Sequence, residues 1–329
     1  MATIYEVAAA AGVSPATVSR VFNGVNVSEE KAELVRAAAA ELRFTPNRTA
    51  RSLRRKNAEV VALVIPDIEN PFFTSLARGV EDVAQAAGYS VVLCNTDEDP
   101  RKEAKYLDIA VSENMAGVIL AEADGRADLG DLVARNRPIV AVDRSTRFDI
   151  DSVVMDNRAA GMAAAGILRD AGFRRIACIT GPAEVETGQE RADGWRSAVD
   201  PGAPFPPPDD YLRRSTFRVD GGREAMQDLL ALDPPPDAVV TTNNLMGVGA
   251  LQVLTETGLV PPAFGVAVIG DLPFTTLTPT AIGVVRLPAR LMGTTAATML
   301  IERITGDRQP ARRVVLASEV VTAPDRSTR

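Results

Sequence analysis

Short apolar runs alternate with amphipathic stretches along the chain from about residue 59 onwards. Segments such as 74–87 and 156–170 carry apolar residues at helical spacing and predict helices between the strands. This alternation, with strands that are apolar on both faces, is typical of a doubly wound α/β fold with parallel sheets, here in two subdomains. Such a fold binds its ligand at the carboxyl ends of the strands. The predicted strands are 59–65, 89–94, 116–120, 139–142, 152–155, 175–180, 237–242, 266–269 and 282–285.

The first 46 residues follow a different pattern, which predicts three short helices. Thr3 is a suitable cap for the first helix, and Gly12 permits a turn after it. Ser14 and Pro15 are typical of the start of a second helix. Two short helices joined by a glycine turn, with a third across them, form a helix-turn-helix module, although the spacing alone fits part of a larger helical domain equally well. The third helix is predicted to bury Leu34, Val35, Ala38 and Leu42.

Composition limits the chemistry that the chain can perform. The chain has 329 residues, which predicts about two domains, and it contains no histidine. The absence of histidine excludes the Ser-His-Asp triad and every His-ligated zinc or haem site. Cys94 and Cys178 are too few for a Cys₄ metal site or a disulfide framework. We therefore expect no metal and no cofactor, and the composition favours a protein that is not an enzyme.

Charge is distributed unevenly along the chain. The net charge is −7, but residues 1–56 carry a net charge of +4 and the remainder carries −11. The segment from Arg43 to Lys56 has six basic residues and no acidic one. A small basic module joined to a large acidic one favours a head that binds a polyanion, and a solvated basic linker is the alternative.

Neither export nor membrane insertion is indicated by the sequence. The amino terminus lacks the basic, apolar and small-residue regions of a secretory signal. No run of about 18 apolar residues occurs, so no transmembrane helix is predicted. We therefore expect a cytoplasmic location and no association with a membrane.

Two runs near the amino terminus, TIYEVAAAAGVSPATVSRVFNG and VSEEKAELVRAAAAELRFTPNRTARSLRR, resemble the DNA-binding head of the LacI/GalR (lac repressor/galactose repressor) family of bacterial transcription regulators. Segments such as IPDIENPFF (65–73) and TTNNLMGVGAL (241–251) extend the resemblance over nearly the whole chain. It implies an all-α head followed by a periplasmic-binding-protein-like α/β domain that binds an effector and dimerises. The implied boundaries are a helix-turn-helix domain at 1–46, a hinge helix at 47–57, and an effector domain at 58–329 with an N-subdomain at about 58–156 plus 287–316 and a C-subdomain at about 157–286 plus 317–329.

The resemblance implies that the helix beginning at Ser14 enters the major groove of DNA. Pro15, Ala16 and Arg20 match the positions that select bases in the family. Arg20 can bond a guanine bidentately, whereas Pro15 and Ala16 can make only apolar contacts, for instance with a thymine methyl group. The other residues of the head expected at the DNA interface are Thr3, Ser14, Thr17, Ser19 and Asn23. For Thr17, Ser19 and Asn23 the expected role is a phosphate contact or helix packing.

Residues 47–55 resemble the hinge helix of the family. Nine residues with one large apolar side chain and four arginines cannot bury enough surface to be stable alone. This helix should therefore fold only against DNA, paired with its copy from a second subunit. Leu53 matches the leucine that wedges into the minor groove at the centre of the operator. The hinge residues expected on DNA are Asn47, Arg48, Arg51, Ser52, Leu53 and Arg54.

The resemblance also implies which residues contact the effector. Phe72 and Phe73 match an aromatic wall, and Arg191 matches an arginine that grips ligand hydroxyls or a carboxylate. Each assignment has a plainer alternative: aromatic residues also fill cores, Arg191 could form a structural salt bridge, and Asp and Asn residues also cap helices. The expected effector contacts are Phe72, Phe73, Asp143, Asp156, Thr187, Arg191, Trp195, Asn243 and Asp271.

Two positions depart from the pattern of the family. The usual Asn-Asp pair is Asn243-Asn244 in this chain, and Gly270 stands where the family often has a ligand-binding aspartate, with Asp271 one place later. The loss of a bidentate acceptor puts an ordinary hexose effector in doubt. It favours a phosphorylated or acidic metabolite, a ligand held mainly by Arg191, or reliance on a protein partner.

These features predict a homodimeric repressor that binds a palindromic operator, with DNA affinity controlled by a small-molecule effector in the cleft. The tail after Val321 has no leucine heptads, so a tetramer through a coiled coil is not expected. The alternatives are a solute-binding protein, which would require export, and an α/β enzyme of sugar or nucleoside metabolism. Such an enzyme would use the acidic residues of segment 97–100 and Asp143.

The proposed wedge can be tested directly. The variant Leu53→Ala should weaken binding to the operator while it leaves nonspecific DNA binding nearly unchanged, because only the bent operator depends on the wedge. Titrations of the full chain against operator and random DNA measure both effects. Equal losses in the two titrations would contradict the wedge role.

Overall fold

The structure is a computed structural model of the chain. Two compact units are present, residues 1–58 and residues 59–329. No helix in the described part of the chain is both long enough and apolar enough to cross a membrane. The residues that the structure describes are 2–22, 26–44, 59–199, 209–272 and 282–322.

Three helices form the described part of the first unit, as the hydrophobic pattern predicted. Thr3 begins the first helix with a capping box: its hydroxyl accepts a hydrogen bond from the Glu6 N–H, and the Glu6 carboxylate accepts one from the Thr3 N–H. The predicted helix starts at Thr3 and at Ser14 are both confirmed. The helices are α1 (Ile4–Ala10), α2 (Pro15–Phe22) and α3 (Glu29–Glu41).

The small core of this unit lies between the three helices. Val7, Val18 and Val35, one from each helix, are fully buried there. The stripe predicted for α3 is partly wrong, because Leu34 and Leu42 are 50% and 36% exposed. Alanines take their place on the buried face, and their short side chains let the helices approach closely. These buried alanines are Ala32, Ala38 and Ala39.

The second unit consists of two parallel-type sheets with helices on their faces, which confirms the predicted α/β fold. Its strands are β1 (Val60–Ile65), β2 (Ser90–Asn95), β3 (Gly117–Leu120), β4 (Ile139–Asp143), β5 (Asp151–Met155), β6 (Ile176–Thr180), β7 (Leu212–Arg214), β8 (Ala238–Thr241), β9 (Gly265–Ile269), β10 (Gly283–Arg286), β11 (Arg313–Leu316) and β12 (Glu319–Thr322). Its helices are α4 (Pro71–Ala86), α5 (Pro100–Ser112), α6 (Gly130–Ala134), α7 (Asn157–Asp170), α8 (Glu186–Ala198), α9 (Val219–Leu230), α10 (Asn244–Glu256) and α11 (Ala289–Thr305).

The strand orders are β11-β5-β4-β3-β1-β2 in the first sheet and β12-β10-β9-β8-β6-β7 in the second. The described strand pairs are parallel except β10 with β12, which is antiparallel. The chain passes between the sheets after β5, after β10 and after β11. All three crossings lie at one end of the sheets, which β11 and β5 form in the first sheet and β12 and β10 form in the second. Each sheet with its helices is hereafter called a subdomain, the first and the second.

Three short strands, β7, β11 and β12, were not predicted from the sequence. Each lies at an edge of its sheet and has partly or largely exposed residues, for example Val315 and Val320, which are 55% and 50% exposed. The apolar runs of these strands are at most three residues long, and runs this short do not by themselves identify a strand.

Glycines set the distance between α7 and α8 in the second subdomain. A Cβ atom at Gly161 would overlap the carbonyl oxygen of Arg191, and one at Gly194 would overlap the carbonyl oxygen of Arg158. The two helix backbones are therefore in direct contact at both crossing points. This contact fixes the position of α8, which carries Arg191 and Thr187.

A pair of glycine variants on α7 tests this contact. The variant Gly161→Ala should lower the free energy of unfolding of the second unit by about 1–3 kcal/mol, because the new methyl group forces the helices apart. Gly166→Ala, on the same helix, should be neutral or stabilising by up to about 1 kcal/mol, because its Cβ would meet only the Arg169 side chain at 3.9 Å. Chemical denaturation of the full chain measures both values. Equal stability of the two variants would contradict the proposed constraint.

Candidate effector cleft and DNA-binding head

The exposed face of α2 is the first candidate site. Ser14 caps this helix by accepting a hydrogen bond from the Thr17 N–H at 3.1 Å. Ala16 and Arg20 lie one helical turn apart and are both exposed on the same face. An arginine beside a small residue on an exposed helix face can reach the edges of bases in a major groove.

The other predicted DNA contacts have structural roles or lie outside the described residues. Pro15, Thr17 and Ser19 are half-buried on α2, and the hydroxyl of Thr3 belongs to the capping box of α1. Their contacts to DNA stay predictions. The residues outside the described part of the chain are Asn23, Asn47, Arg48, Arg51, Ser52, Leu53 and Arg54.

A cavity in the second unit is the second candidate site. Residues that follow the carboxyl ends of strands in both sheets line it, which is where an α/β fold binds its ligand. Six of the predicted effector contacts line this cavity: Phe72, Phe73, Asp143, Thr187, Arg191 and Asn243.

Arg191 is buried in the wall of the cavity, and two hydrogen bonds fix its guanidinium. Its Nε donates to Oδ1 of Asn157 at 2.9 Å, and its Nη1 donates to the carbonyl oxygen of Thr242 at 2.8 Å. Its Nη2 donates no hydrogen bond to a described residue. Burial lowers the pKa of Arg191, and the charge of Asp143 opposes that shift. The guanidinium therefore has an oriented donor to offer to a ligand.

Asp143 ends β4 and faces the same cavity. It is 6% exposed, and its carboxylate accepts no hydrogen bond from a described residue. Its closest cation is Nε of Arg144, at 3.8 Å. Burial raises the pKa of Asp143, while Arg144 and Arg191 favour its charged form. Its φ of +66° is unusual for a residue with a side chain, and such strain is concentrated at functional sites.

A second buried arginine beside the cavity is already paired. Both terminal nitrogens of Arg144 donate to the Glu98 carboxylate, at 2.9 and 2.8 Å, and its Nη1 also donates to the carbonyl oxygens of Glu122 and Ala123. The positive charge of Arg144 is thus neutralised within the protein. Across the described residues, no group of three or more acidic or cysteine side chains is arranged to hold a metal ion.

Asn243 lines the cavity, but its amide is used for structure. Its Oδ1 accepts a hydrogen bond from the Met246 N–H at 2.8 Å and thereby caps α10. Its Nδ2 donates to the carbonyl oxygen of Phe217 at 2.9 Å. Phe217 also lines the cavity and was missed by the sequence analysis, because it follows β7, a strand that the apolar pattern did not predict.

Three predicted effector contacts are corrected by the structure. Trp195 is core rather than cleft: it is 1% exposed, and its indole N–H donates to the carbonyl oxygen of Ile176 at 3.1 Å. Asp156 is exposed and caps α7 by accepting a hydrogen bond from the Ala159 N–H. Asp271 is exposed and pairs with Arg286 at 2.9 Å. None of the three lines the cavity.

Gly270, which replaces the acid usual in the resembled family, also lines the cavity. Its φ is +109°, in the left-handed region that residues with a side chain rarely adopt. Asp271, its neighbour, points to Arg286 instead of the cavity. The carboxylate missing at this strand end is therefore not supplied by the next residue.

Comparisons with known families cover both units of the chain. Residues 3–47 match the family described as bacterial regulatory proteins, lacI family. Residues 58–322 match the family described as periplasmic binding proteins and sugar binding domain of LacI family. The chain belongs to the LacI family. This LacI-family chain is a DNA-binding transcription regulator with an effector-binding domain, as its resemblance implied.

Similar proteins support the same assignment for this LacI-family chain. The ribose operon repressor of Escherichia coli (strain K12) is 35% identical over 96% of this chain and 97% of its own length. A solved complex of the transcriptional regulator CelR with cellobiose is 30% identical, covers 99% of this chain and 100% of that one, and has a TM-score of 0.72. The lac repressor, solved as a dimer bound to operator, shares the fold at 24% identity, 98% coverage of both chains and a TM-score of 0.83.

Two carboxylates are buried behind the cleft, near Arg144. Glu103 on α5 and Glu122 after β3 are each 1% exposed. Burial, together with the negative charges of Glu122 and Asp124, raises the pKa of Glu103 to about 7, although its carboxylate accepts a hydrogen bond from the Ala123 N–H at 2.6 Å. The folded protein therefore holds a proton on Glu103 more tightly than the unfolded chain does.

This proton makes stability depend on pH. Because the pKa of Glu103 in the folded state lies above the ordinary value of 4.5, its contribution to stability is complete below that value and is lost as pH rises through about 7. The variant Glu103→Gln should raise the free energy of unfolding at pH 8, by up to about 3 kcal/mol, and change it little at pH 4.5.

Urea unfolding of the full chain at the two pH values measures this difference. Glu113→Gln, an exposed residue at the end of the same helix, is the matched control and should leave the pH dependence unchanged. If Glu103→Gln and wild type lose stability equally between pH 4.5 and 8, the inferred titration of Glu103 is wrong.

Proposed function

We propose that the effector of this LacI-family regulator is a small neutral sugar held between the Asp143 carboxylate and the Arg191 guanidinium. The observation that carries the proposal is a buried acceptor and a buried donor that face one cavity with hydrogen-bonding capacity unused by the described residues. A pair of neighbouring hydroxyls satisfies both groups, since one hydroxyl donates to the carboxylate and the other oxygen accepts from the guanidinium. A buried polar group without a hydrogen-bond partner destabilises a protein by about 1–3 kcal/mol. A ligand that supplies the missing partners of both groups is therefore strongly favoured.

The charges around the cavity argue against an anionic effector. Asp67, Glu98 and Asp143 face Arg144 and Arg191 among the described lining residues, and Glu98 already neutralises Arg144. A phosphate or carboxylate ligand would add negative charge next to Asp143 in a poorly solvated site, where repulsion is strong. We therefore propose a neutral effector, in contrast to the acidic metabolite that Gly270 alone suggested. Asp143 provides the acceptor that the Gly270 position lacks.

The aromatic side chains of the cavity fit a compact ring with one apolar face. Phe72 and Phe73 contact each other edge to face, with ring centroids 5.0 Å apart, and Phe217 lines the same cavity. The similar E. coli protein is named a ribose operon repressor, and the similar CelR was solved with cellobiose. We propose D-ribose as the first candidate, with larger sugars as the comparison.

We propose that the sugar controls operator affinity by changing the angle between the two subdomains. Asp143 belongs to the first subdomain and Arg191 to the second, so the sugar favours the closed cleft over the open one. Two heads of a homodimer then read a palindromic operator in the cytoplasm, and DNA and sugar alter the affinity for each other by the same factor. The proposed roles of the cleft residues are binding roles, and we propose no catalytic step.

Calorimetric titration of the full chain with D-ribose, D-glucose, cellobiose and ribose 5-phosphate tests the proposal. We expect a neutral sugar to bind and ribose 5-phosphate not to bind. Asp143→Asn and Arg191→Lys should each weaken sugar binding by about 10- to 100-fold, because each leaves a partner imperfectly satisfied. The bound sugar should also change the affinity for an operator selected from random DNA.

Asp156→Asn and Asp271→Asn are the control variants, since both carboxylates are exposed and lie outside the cavity lining. They should bind sugar as wild type does. Tighter binding of ribose 5-phosphate than of any neutral sugar would refute the proposed ligand class. An unchanged affinity of Asp143→Asn would refute the proposed role of that carboxylate.

A further inference from the structure

Arg218 joins the two sides of the effector cleft. It follows β7 in the second subdomain, and its Nη1 lies 3.3 Å from the Glu69 carboxylate of the first subdomain. The carboxylates of Asp67 and Asp97 each lie 3.9 Å from the same guanidinium. These three residues, which follow β1 and β2, are called here the acidic rim. One cation therefore faces three carboxylates across the gap between the subdomains.

The acidic rim and Arg218 lie at the end of the sheets that is farthest from the crossings. β1 and β2 stand at one end of the first sheet and β7 stands at the same end of the second, whereas the three crossings leave from β5, β10 and β11 at the opposite ends. A contact at this end has the longest lever arm about the crossings. The Ser145 N–H also donates a hydrogen bond to Glu186 across the subdomains. That bond lies next to β4, nearer the crossings, so its lever arm is shorter.

The segment that carries Arg218 is fixed firmly to the second subdomain. The Ser215 N–H donates to the carbonyl oxygen of Thr180 at 2.9 Å, and Asn243 donates to the carbonyl oxygen of Phe217. The Phe217 ring fills the space beside Gly181, where a Cβ atom would overlap it. Residues 215–218 are therefore a rigid arm. Arg218 stands at the N-cap position of α9, where its guanidinium, which has only donors, cannot cap the helix and instead reaches across to the acidic rim.

We propose that Arg218 is a positioning residue for effector binding. By pairing with the acidic rim of the first subdomain, it holds that rim against residues 215–218, which carry Phe217, and this ion pairing is called here the latch. Arg218 does not line the cavity, whereas Phe217 does, so the latch acts on the closure of the cleft and not on the ligand itself. The proposal rests on the proposed function, because a sugar that contacts both subdomains is retained only while the cleft is closed.

The latch has two thermodynamic consequences. A contact that stabilises the closed cleft raises the affinity for any ligand that binds the closed form, because a larger fraction of the protein is ready to bind. Loss of the contact must also move the operator affinity of the sugar-free protein in the direction opposite to the effect of the sugar. A residue that merely stabilises the fold produces neither change.

The acidic segment 97–100 also gains an explanation from this geometry. The sequence analysis offered these acids as candidate catalytic groups of an enzyme. In the structure Asp97 pairs with Lys102 and also faces Arg218 as part of the acidic rim, and Glu98 pairs with Arg144. Asp99 caps α5 by accepting a hydrogen bond from the Arg101 N–H at 2.9 Å. Each acidic residue of this segment therefore pairs with a cation or caps a helix. None of them is an unpaired carboxylate of the kind that a catalytic group requires.

The variant Arg218→Gln tests the latch in the full chain. Without any sugar, amide hydrogen exchange in segments 66–73 and 215–219 should be about three- to tenfold faster than in wild type, because the two sides separate more often. With D-ribose as the probe, the concentration for half-saturation should rise by a similar factor. Operator affinity of the sugar-free variant should shift opposite to the shift that D-ribose causes in wild type.

Further variants control the experiment. Arg174→Gln removes an exposed arginine at the amino end of β6, away from the cleft, and should behave as wild type in every measurement. The variant Glu69→Gln and the double variant Glu69→Gln with Arg218→Gln complete a double-mutant cycle, in which the effects of the two single variants on exchange should not add, because both remove the same ion pair. That non-additivity distinguishes a latch from a general loss of stability.

The outcomes separate the latch from the proposed function. If wild type binds none of the neutral sugars, the proposed effector class fails, and the exchange measurement without sugar still decides the latch. If amide hydrogens of both segments exchange as slowly in Arg218→Gln as in wild type, the latch is refuted, whether or not a sugar binds. If they exchange faster and the effects of Arg218→Gln and Glu69→Gln simply add in the double variant, the specific ion pairing is refuted.

Discussion

The hydrogen bonds of Arg191 tie the effector cleft to the crossing between the subdomains. Its Nε donates to Asn157, the first residue of α7 after the first crossing, and its Nη1 donates to Thr242 at the end of β8. Both bonds depend on α8 lying against α7 at a distance that Gly161 and Gly194 permit. The position of this guanidinium therefore depends on the contact between α7 and α8, on the end of β8 and on the first crossing. A ligand that binds the guanidinium acts on the first crossing through these rigid elements.

The two unused polar groups of the cleft belong to different subdomains. Asp143 ends a strand of the first sheet, and Arg191 lies on a helix that packs on the second. A ligand that needs both groups gains its full binding energy only when the subdomains are close together, which is the differential affinity that any conformational switch requires. If the acceptor were at position 270, the acceptor and Arg191 would both lie on the second subdomain. The ligand could then contact both groups without closure of the cleft.

Sequence reasoning predicted the architecture well because burial leaves a strong pattern. The nine short apolar runs became strands, and the helix starts at Thr3 and Ser14 were correct, since apolar runs and helix caps are local properties of the sequence. It failed where the outcome depends on three-dimensional neighbours. Trp195 and Arg191 are four residues apart on α8, yet one enters the core and the other the cleft. Phe217 and Arg218 were missed because they follow β7, an edge strand with no apolar signature.

The backbone at Gly270 has a consequence for how ligand preference can change in evolution. At φ +109° this position is adapted to glycine, and the aspartate common in the family would be strained there even though a Cβ atom meets nothing closer than 3.4 Å. Substitution of Gly270 by aspartate alone would therefore strain the loop before it gave a new ligand contact. A change of ligand preference by a single substitution is thus more accessible at cavity positions whose backbone already suits a residue with a side chain.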